Sequence, residues 1–229
     1  MKKSIATLLV AINFGAGAYG QGSILLDNSS ANNGITIYQP NNWFSGTYGL
    51  EVWVRNGTNF DLNSINQYAG VEGGLLTYPL LASEGFSLVA TYANQVITLP
   101  LAGIIQLGRL DIQIVDPPGS SITIALAAWV GSGSSFMSNV HAVGNSTYSD
   151  GTGVVAFYTA TSDYTQLPTP APVNIAAGWD AANVDLIMAP VVPEPGTLTM
   201  MIFGAIAFVF AMRRGTRSVV PRAETRRLP

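Results

Sequence analysis

The sequence predicts an all-β fold, a single β-sandwich of immunoglobulin-like or jelly-roll type over residues 21–190. Three observations carry that expectation. Short segments alternate apolar and polar residues with period two, the pattern of a strand with one buried face. Gly, Pro and Asn clusters separate these segments at short intervals, as turns between strands require. No stretch within 21–190 holds a helical period over a useful length.

The predicted strands begin with Ser23–Leu26 and Ile35–Tyr38. In Leu50–Arg55, Leu50, Val52 and Val54 share one face, and Asn56-Gly57 closes the run as a turn. Phe86–Thr91 and Val96–Leu99 follow as two separate strands. Leu110–Ile114 alternates again and is broken by Asp116-Pro117-Pro118-Gly119. Ile122, Ile124, Leu126, Ala128 and Val130 form a third alternating set, ended by Gly131-Ser132-Gly133. Val154–Thr159 and Val184–Met188 complete the count of nine. Leu167–Val173, with Pro168, Pro170 and Pro172, reads as a stiff loop leading to the last strand. Ala189–Pro195 reads as an extended tether. About 170 residues suffice to bury a core in one domain.

The two ends differ from this body. Lys2 and Lys3 precede an apolar run from Ile5 to Phe14, and Ala16, Ala18 and Gly20 follow. A basic start, an apolar centre and small residues define a secretory signal peptide, residues 1–20, cleaved after Gly20 or Ala18. Such a signal implies the Sec translocon as a partner. At the other end stand Pro193-Glu194-Pro195, an uncharged helix-forming stretch at 197–212, and Arg213, Arg214 and Arg217. The prolines fix φ and withhold two backbone donors, so the tripeptide stays extended. The apolar run Leu198–Met212 covers roughly 22 Å as a helix against a hydrocarbon core about 30 Å thick. Snorkelling arginines close that gap. Six arginines and one glutamate beyond residue 212 place the tail 213–229 in the cytoplasm and the body outside.

From Val192 to Pro229 the chain resembles the PEP-CTERM sorting signal of exported Gram-negative bacterial proteins, with tripeptide, apolar helix and arginine stop in the same order. The resemblance implies an exosortase-like membrane protease as partner, with Pro193, Glu194 and Pro195 as the sorting motif and Arg213, Arg214 and Arg217 as the stop. It implies an exported envelope or matrix protein, held in the inner membrane before processing and associated with extracellular polysaccharide or biofilm. Because no residue set assembles a nucleophile with its base, a metal site or a phosphate cradle, the reading is non-enzymatic.

Charge narrows the remaining options. Between Ser23 and Pro190 there are eleven acidic residues and two basic ones, Arg55 and Arg109, a formal charge of −9. Such a body lacks the electrostatic footprint for nucleic acid. The chain has no cysteine, which excludes disulfides and thiol chemistry. His141 is its one histidine, read as a polar loop residue, and no zinc site or other cofactor is implied. No Gly-x-Ser-x-Gly elbow supports a serine nucleophile. Asp111 and Asp116 would have to form a glycosidase pair, but their setting reads as strand surface and turn. Asp150-Gly151-Thr152-Gly153 and Asp61-Leu62-Asn63 offer oxygens suited to calcium without a complete loop. Trp43, Phe44, Tyr48 and Trp53 crowd into a polar Asn/Ser/Gly setting. Exposed, they would stack on sugar rings as a carbohydrate-binding module does; buried, they fill the core. Trp129 and Trp179 carry the same ambiguity.

Overall fold

The alternating segments do form strands. A computed structural model of the 229-residue chain describes residues 21–37, 42–69, 74–143 and 146–191. In chain order the elements are β1 (Gly22–Asp27), β2 (Ile35–Ile37), β3 (Gly46–Asn56), α1 (Asn63–Asn66), α2 (Tyr78–Ser83), β4 (Ser87–Ile97) and β5 (Gln106–Ile112). Then come β6 (Ile122–Val130), a 3-10 turn (Met137–Asn139), β7 (Val140–Val143), β8 (Ser146–Thr159), β9 (Val173–Asn174), α3 (Ala176–Ala182) and β10 (Leu186–Val191). The fold is all-β, in two sheets with a few short helices. The smaller sheet runs β5-β1-β9. The larger runs β2-β10-β8-β6-β3-β4, with β7 beside the first part of β8. Neighbours are antiparallel except β1 with β9 and β10 with β2.

Period two sets the first core. Leu50, Val52 and Val54 of β3 stand opposite Ala128, Leu126 and Ile124 of β6. Ile124 and Leu126 in turn stand opposite Phe157 and Val155 of β8. These side chains are buried with Ile24, Leu26 and Ile112 of the smaller sheet, so this core lies between the two sheets. Each such aliphatic side chain contributes roughly 1.5–3 kcal/mol by leaving water.

A second core lies on the opposite face of the larger sheet. Ala125, Ala127 and Trp129 of β6 and Val154 and Ala156 of β8 are covered there by Phe60, Ile65, Leu81, Phe86 and Phe136. The small side chains let α1, α2 and the loops beside them approach the sheet closely. Gly49 makes room for the largest one: a Cβ there would come within 2.0 Å of the Trp129 ring.

Several expectations change. Asn56-Gly57 ends β3, with Gly57 at φ +77, but the chain detours through α1 and α2 before β4 returns beside β3. The two predicted strands Phe86–Thr91 and Val96–Leu99 are one strand, β4, because Asn94 takes a left-handed conformation (φ 55) at a bulge and no turn forms. Asp150–Gly153 is part of β8, with Thr152 and Gly153 opposite Trp129 and Ala128, and His141 is part of β7, its backbone opposite Tyr148; both lie in strands, not loops. Ala189–Val191, read as tether, belongs to β10 and pairs with β8. The helices carry no helical period in the sequence, because they span only four, six and seven residues. Among the described residues no helix is long and apolar enough to cross a membrane. The signal peptide 1–20, the motif Pro193-Glu194-Pro195, the apolar segment and the arginines Arg213, Arg214 and Arg217 lie outside the described residues.

Candidate functional site

The four clustered aromatics do not share an exposed face. In β3, Tyr48 lies on the inter-sheet side with Leu50 and Val52, and Trp53, an odd number of residues away, lies on the other. Phe44 and Tyr48 are buried between the sheets and pack edge to face at 6.3 Å. Trp43 alone is open, 40 % exposed. Its ring lies against Gly103, where a Cβ would come within 2.6 Å of it. A continuous sugar-stacking platform over Trp43, Phe44, Tyr48 and Trp53 is therefore not formed. Trp129 and Trp179 are fully buried, their indole N–H groups donating to Gly133 (3.0 Å) and Val184 (2.8 Å) carbonyls. Trp179 stacks on Phe157 at 5.5 Å.

The most unusual polar group is Glu51, on the outer side of β3 and 1 % exposed. A carboxylate there must be compensated by donors. Its Oε2 accepts from the Tyr78 hydroxyl (2.7 Å) and the Trp53 indole (3.1 Å), and its Oε1 from the Phe136 backbone N–H (3.0 Å). Tyr78 stacks flat on Phe136 at 4.1 Å and meets Trp53 edge-on at 5.6 Å. Burial, then the hydrogen bond and negative charge of Glu51, hold the Tyr78 hydroxyl above the usual tyrosine range. Burial pushes the Tyr48 hydroxyl up to about 12. Glu51 thus ties α2 and the 3-10 turn region to β3. With three donors on it and aromatic rings around it, this carboxylate is a clasp for the covering segments. One of its partners, Trp53, is two residues away, but the other two lie 27 and 85 residues away, so the local sequence does not mark its burial.

Several other acids serve backbone groups. Asp61 Oδ1 accepts from the Asn63 N–H (3.0 Å) at the start of α1. Asp163 is held below the usual carboxylate range by its hydrogen bond from the Thr165 hydroxyl, together with bonds from the Thr165 N–H and Gln166. Asp180 gathers Asn32 and Asn33 (backbone N–H at 2.7 and 3.3 Å), and Asp185 accepts from the Gly34 N–H at 3.2 Å. Asp111 pairs with Arg109 at 2.6 Å on β5, while the Asp116 N–H donates to Asn56 in the following turn. Among the described residues, no three of His, Cys, Asp and Glu come together as a metal site would need. Surface hollows of about 320 Å³ beside Tyr158 and α3, and about 160 Å³ at Tyr48 and Leu101, are lined by no charged residue. One of about 390 Å³ has Asp185 in its wall.

Compared with protein-family models, curated proteins and solved structures, the chain matches none of them.

Proposed function

We propose that this chain is an exported, non-enzymatic component of the bacterial cell envelope or extracellular matrix, its body a β-sandwich, anchored transiently in the inner membrane and processed by an exosortase-like protease. The observation that carries this reading is the uninterrupted order of Pro193-Glu194-Pro195, the apolar run Leu198–Met212 and the arginines 213, 214 and 217, the order of the PEP-CTERM signal it resembles. Each part has a physical role. The prolines keep the backbone extended and open to a protease. Burying Glu194 in hydrocarbon is costly, so the motif stays at the interface. The arginines hold the other end in the cytoplasm. The acids of the body support a structural role, because Glu51, Asp61, Asp163, Asp180 and Asp185 are each engaged in holding turns, loops or covering segments. The resemblance extends the proposal to association with extracellular polysaccharide.

Processing is tested by Pro193→Ala combined with Glu194→Ala in a host that has an exosortase. The parent should be released in shortened form, and the double variant should remain full-length in the inner membrane. Release of the double variant at the parental rate would overturn the reading. Replacing Arg213, Arg214 and Arg217 with Ser should mix the topologies and leave the motif intact.

A further inference from the structure

A strand at a sheet edge carries unpaired N–H and C=O groups, and proteins blunt such edges by shortness, charge or proline. Most edges here are blunted in these ways. β2, β9 and β7 have three, two and four residues. β5 carries the ion pair Arg109–Asp111. β4 differs. It is eleven residues long, Ser-Leu-Val-Ala-Thr-Tyr-Ala-Asn-Gln-Val-Ile, with neither charge nor proline. Among the described residues only β3 pairs with it. Two bulges, themselves a device that turns an edge away, twist it but add no charge, and eleven residues of edge remain.

The surroundings of β4 are equally distinct. From Gly85 to Gly108 no residue is charged, although Glu84 and Arg109 flank the stretch and the body as a whole is acidic. Within it Leu88, Val96, Leu99 and Leu101 are 47, 63, 77 and 43 % exposed, half of the eight large hydrophobic residues exposed among the described residues. An unpaired edge and exposed apolar side chains therefore coincide on one neutral strip.

We infer that this strip is a homotypic interface: β4 pairs antiparallel with β4 of a second copy across a two-fold axis, covering Leu88, Val96, Leu99 and Leu101. Charge selects the occupant. A strongly basic or acidic partner finds no counter-charge on a strip of 24 uncharged residues. Two acidic bodies repel each other over most of their surfaces and least where both are neutral. An antiparallel strand pair is self-complementary, as an isologous contact must be. The blunted edges elsewhere stop further addition, so the assembly closes as a dimer and does not grow into a fibre. A contact of one strand and its flanking loop falls near the low end of specific interfaces, around 1,200 Å² in total. The dimer should therefore depend on concentration.

The absence of cysteine allows a clean test on the protein as its host produces it. Single variants Leu88→Cys, Thr91→Cys and Val96→Cys place a thiol at exposed positions on the edge, and Thr169→Cys serves as an exposed control on another loop. Any association through the apolar run Leu198–Met212, retained or removed, is common to all four. Under mild oxidation at least one edge variant should form a homodimer, identified by mass, about ten-fold faster than the control, as a raised effective concentration requires. Adding Val96→Asp to a cysteine at 88 or 91, or Leu88→Asp to one at 96, should bring the rate down to that of the control. Equal rates at all four positions, cross-linking to a different protein, or indifference to the added aspartate would each overturn the proposal.

Discussion

Strand β6 divides two interiors built on different principles. Its Ile122, Ile124, Leu126 and Ala128 face aliphatic side chains from a second sheet. Its Ala125, Ala127 and Trp129 face aromatic rings delivered by short helices and loops. The first interior is built mainly on alternating strand residues from both sheets, with Phe44, Ile105, Val115, Ile175 and Trp179 added from loops and α3. The second has a regular wall and an irregular cover, and it also encloses the Glu51 carboxylate, clasped by a Tyr, a Trp and a backbone N–H. Side chains on facing strands pack in register with little else to hold them. A cover made of loops needs polar fastenings as well, because its backbone groups are not satisfied by a ladder.

Trp129→Ala and Leu126→Ala, three residues apart on opposite faces, give the strongest test of this contrast. Each should cost about 2–5 kcal/mol, with the tryptophan at the upper end. Their patterns should differ. In hydrogen exchange, Leu126→Ala should weaken protection in both sheets, and Trp129→Ala mainly over residues 57–86 and 131–139. Uniform loss in both variants would merge the two interiors into one. Glu51→Gln sharpens the point with a smaller effect. The amide keeps one acceptor oxygen and turns a donor towards groups that themselves donate, which should cost about 1–3 kcal/mol. A stability equal to that of the parent would remove Glu51 as the clasp.

The smallest effect is expected from Tyr78→Phe, about 1 kcal/mol for one lost hydrogen bond at neutral pH. It carries a pH signature. The Tyr78 hydroxyl is raised above 10.0 in the folded protein, so its stabilisation is complete below pH 10 and falls as pH rises from there towards the folded value. Tyr48, pushed up to about 12, adds to the same alkaline loss between 10 and 12. Denaturant midpoints measured from pH 8 to 11 should decline less steeply for Tyr78→Phe than for the parent.

The inter-sheet core was legible because each of its strands advertises one apolar face: Leu50, Val52 and Val54 stand where period two puts them. The outer core is written in the same letters but less openly. Ile122–Val130 is apolar at almost every position, which signals burial on both faces, yet its alternation draws attention to one set alone. The helices covering that face are shorter than two turns, so no 3.6-residue period can repeat within them. Glu51 could not be found, because burial of a carboxylate is decided by partners far along the chain. Proximity along the chain also misled: Tyr48 and Trp53 sit together in sequence, and the parity of a strand sends them to opposite sides.

The two parallel pairings have a consequence for the order of assembly. Ile24 and Leu25 pair with Val173 and Asn174, and Ile35–Ile37 pair with Leu186–Met188. The opening strands of the body are thus completed by its closing ones. A chain that emerges amino-terminus first must wait, with β1 paired on one side by β5 and β2 still without its strand partner, until nearly the last residue of the body is out. Contacts this distant along the chain slow folding. The body should therefore snap shut late and as a unit, and a truncation before Leu186 should leave it open at both ends.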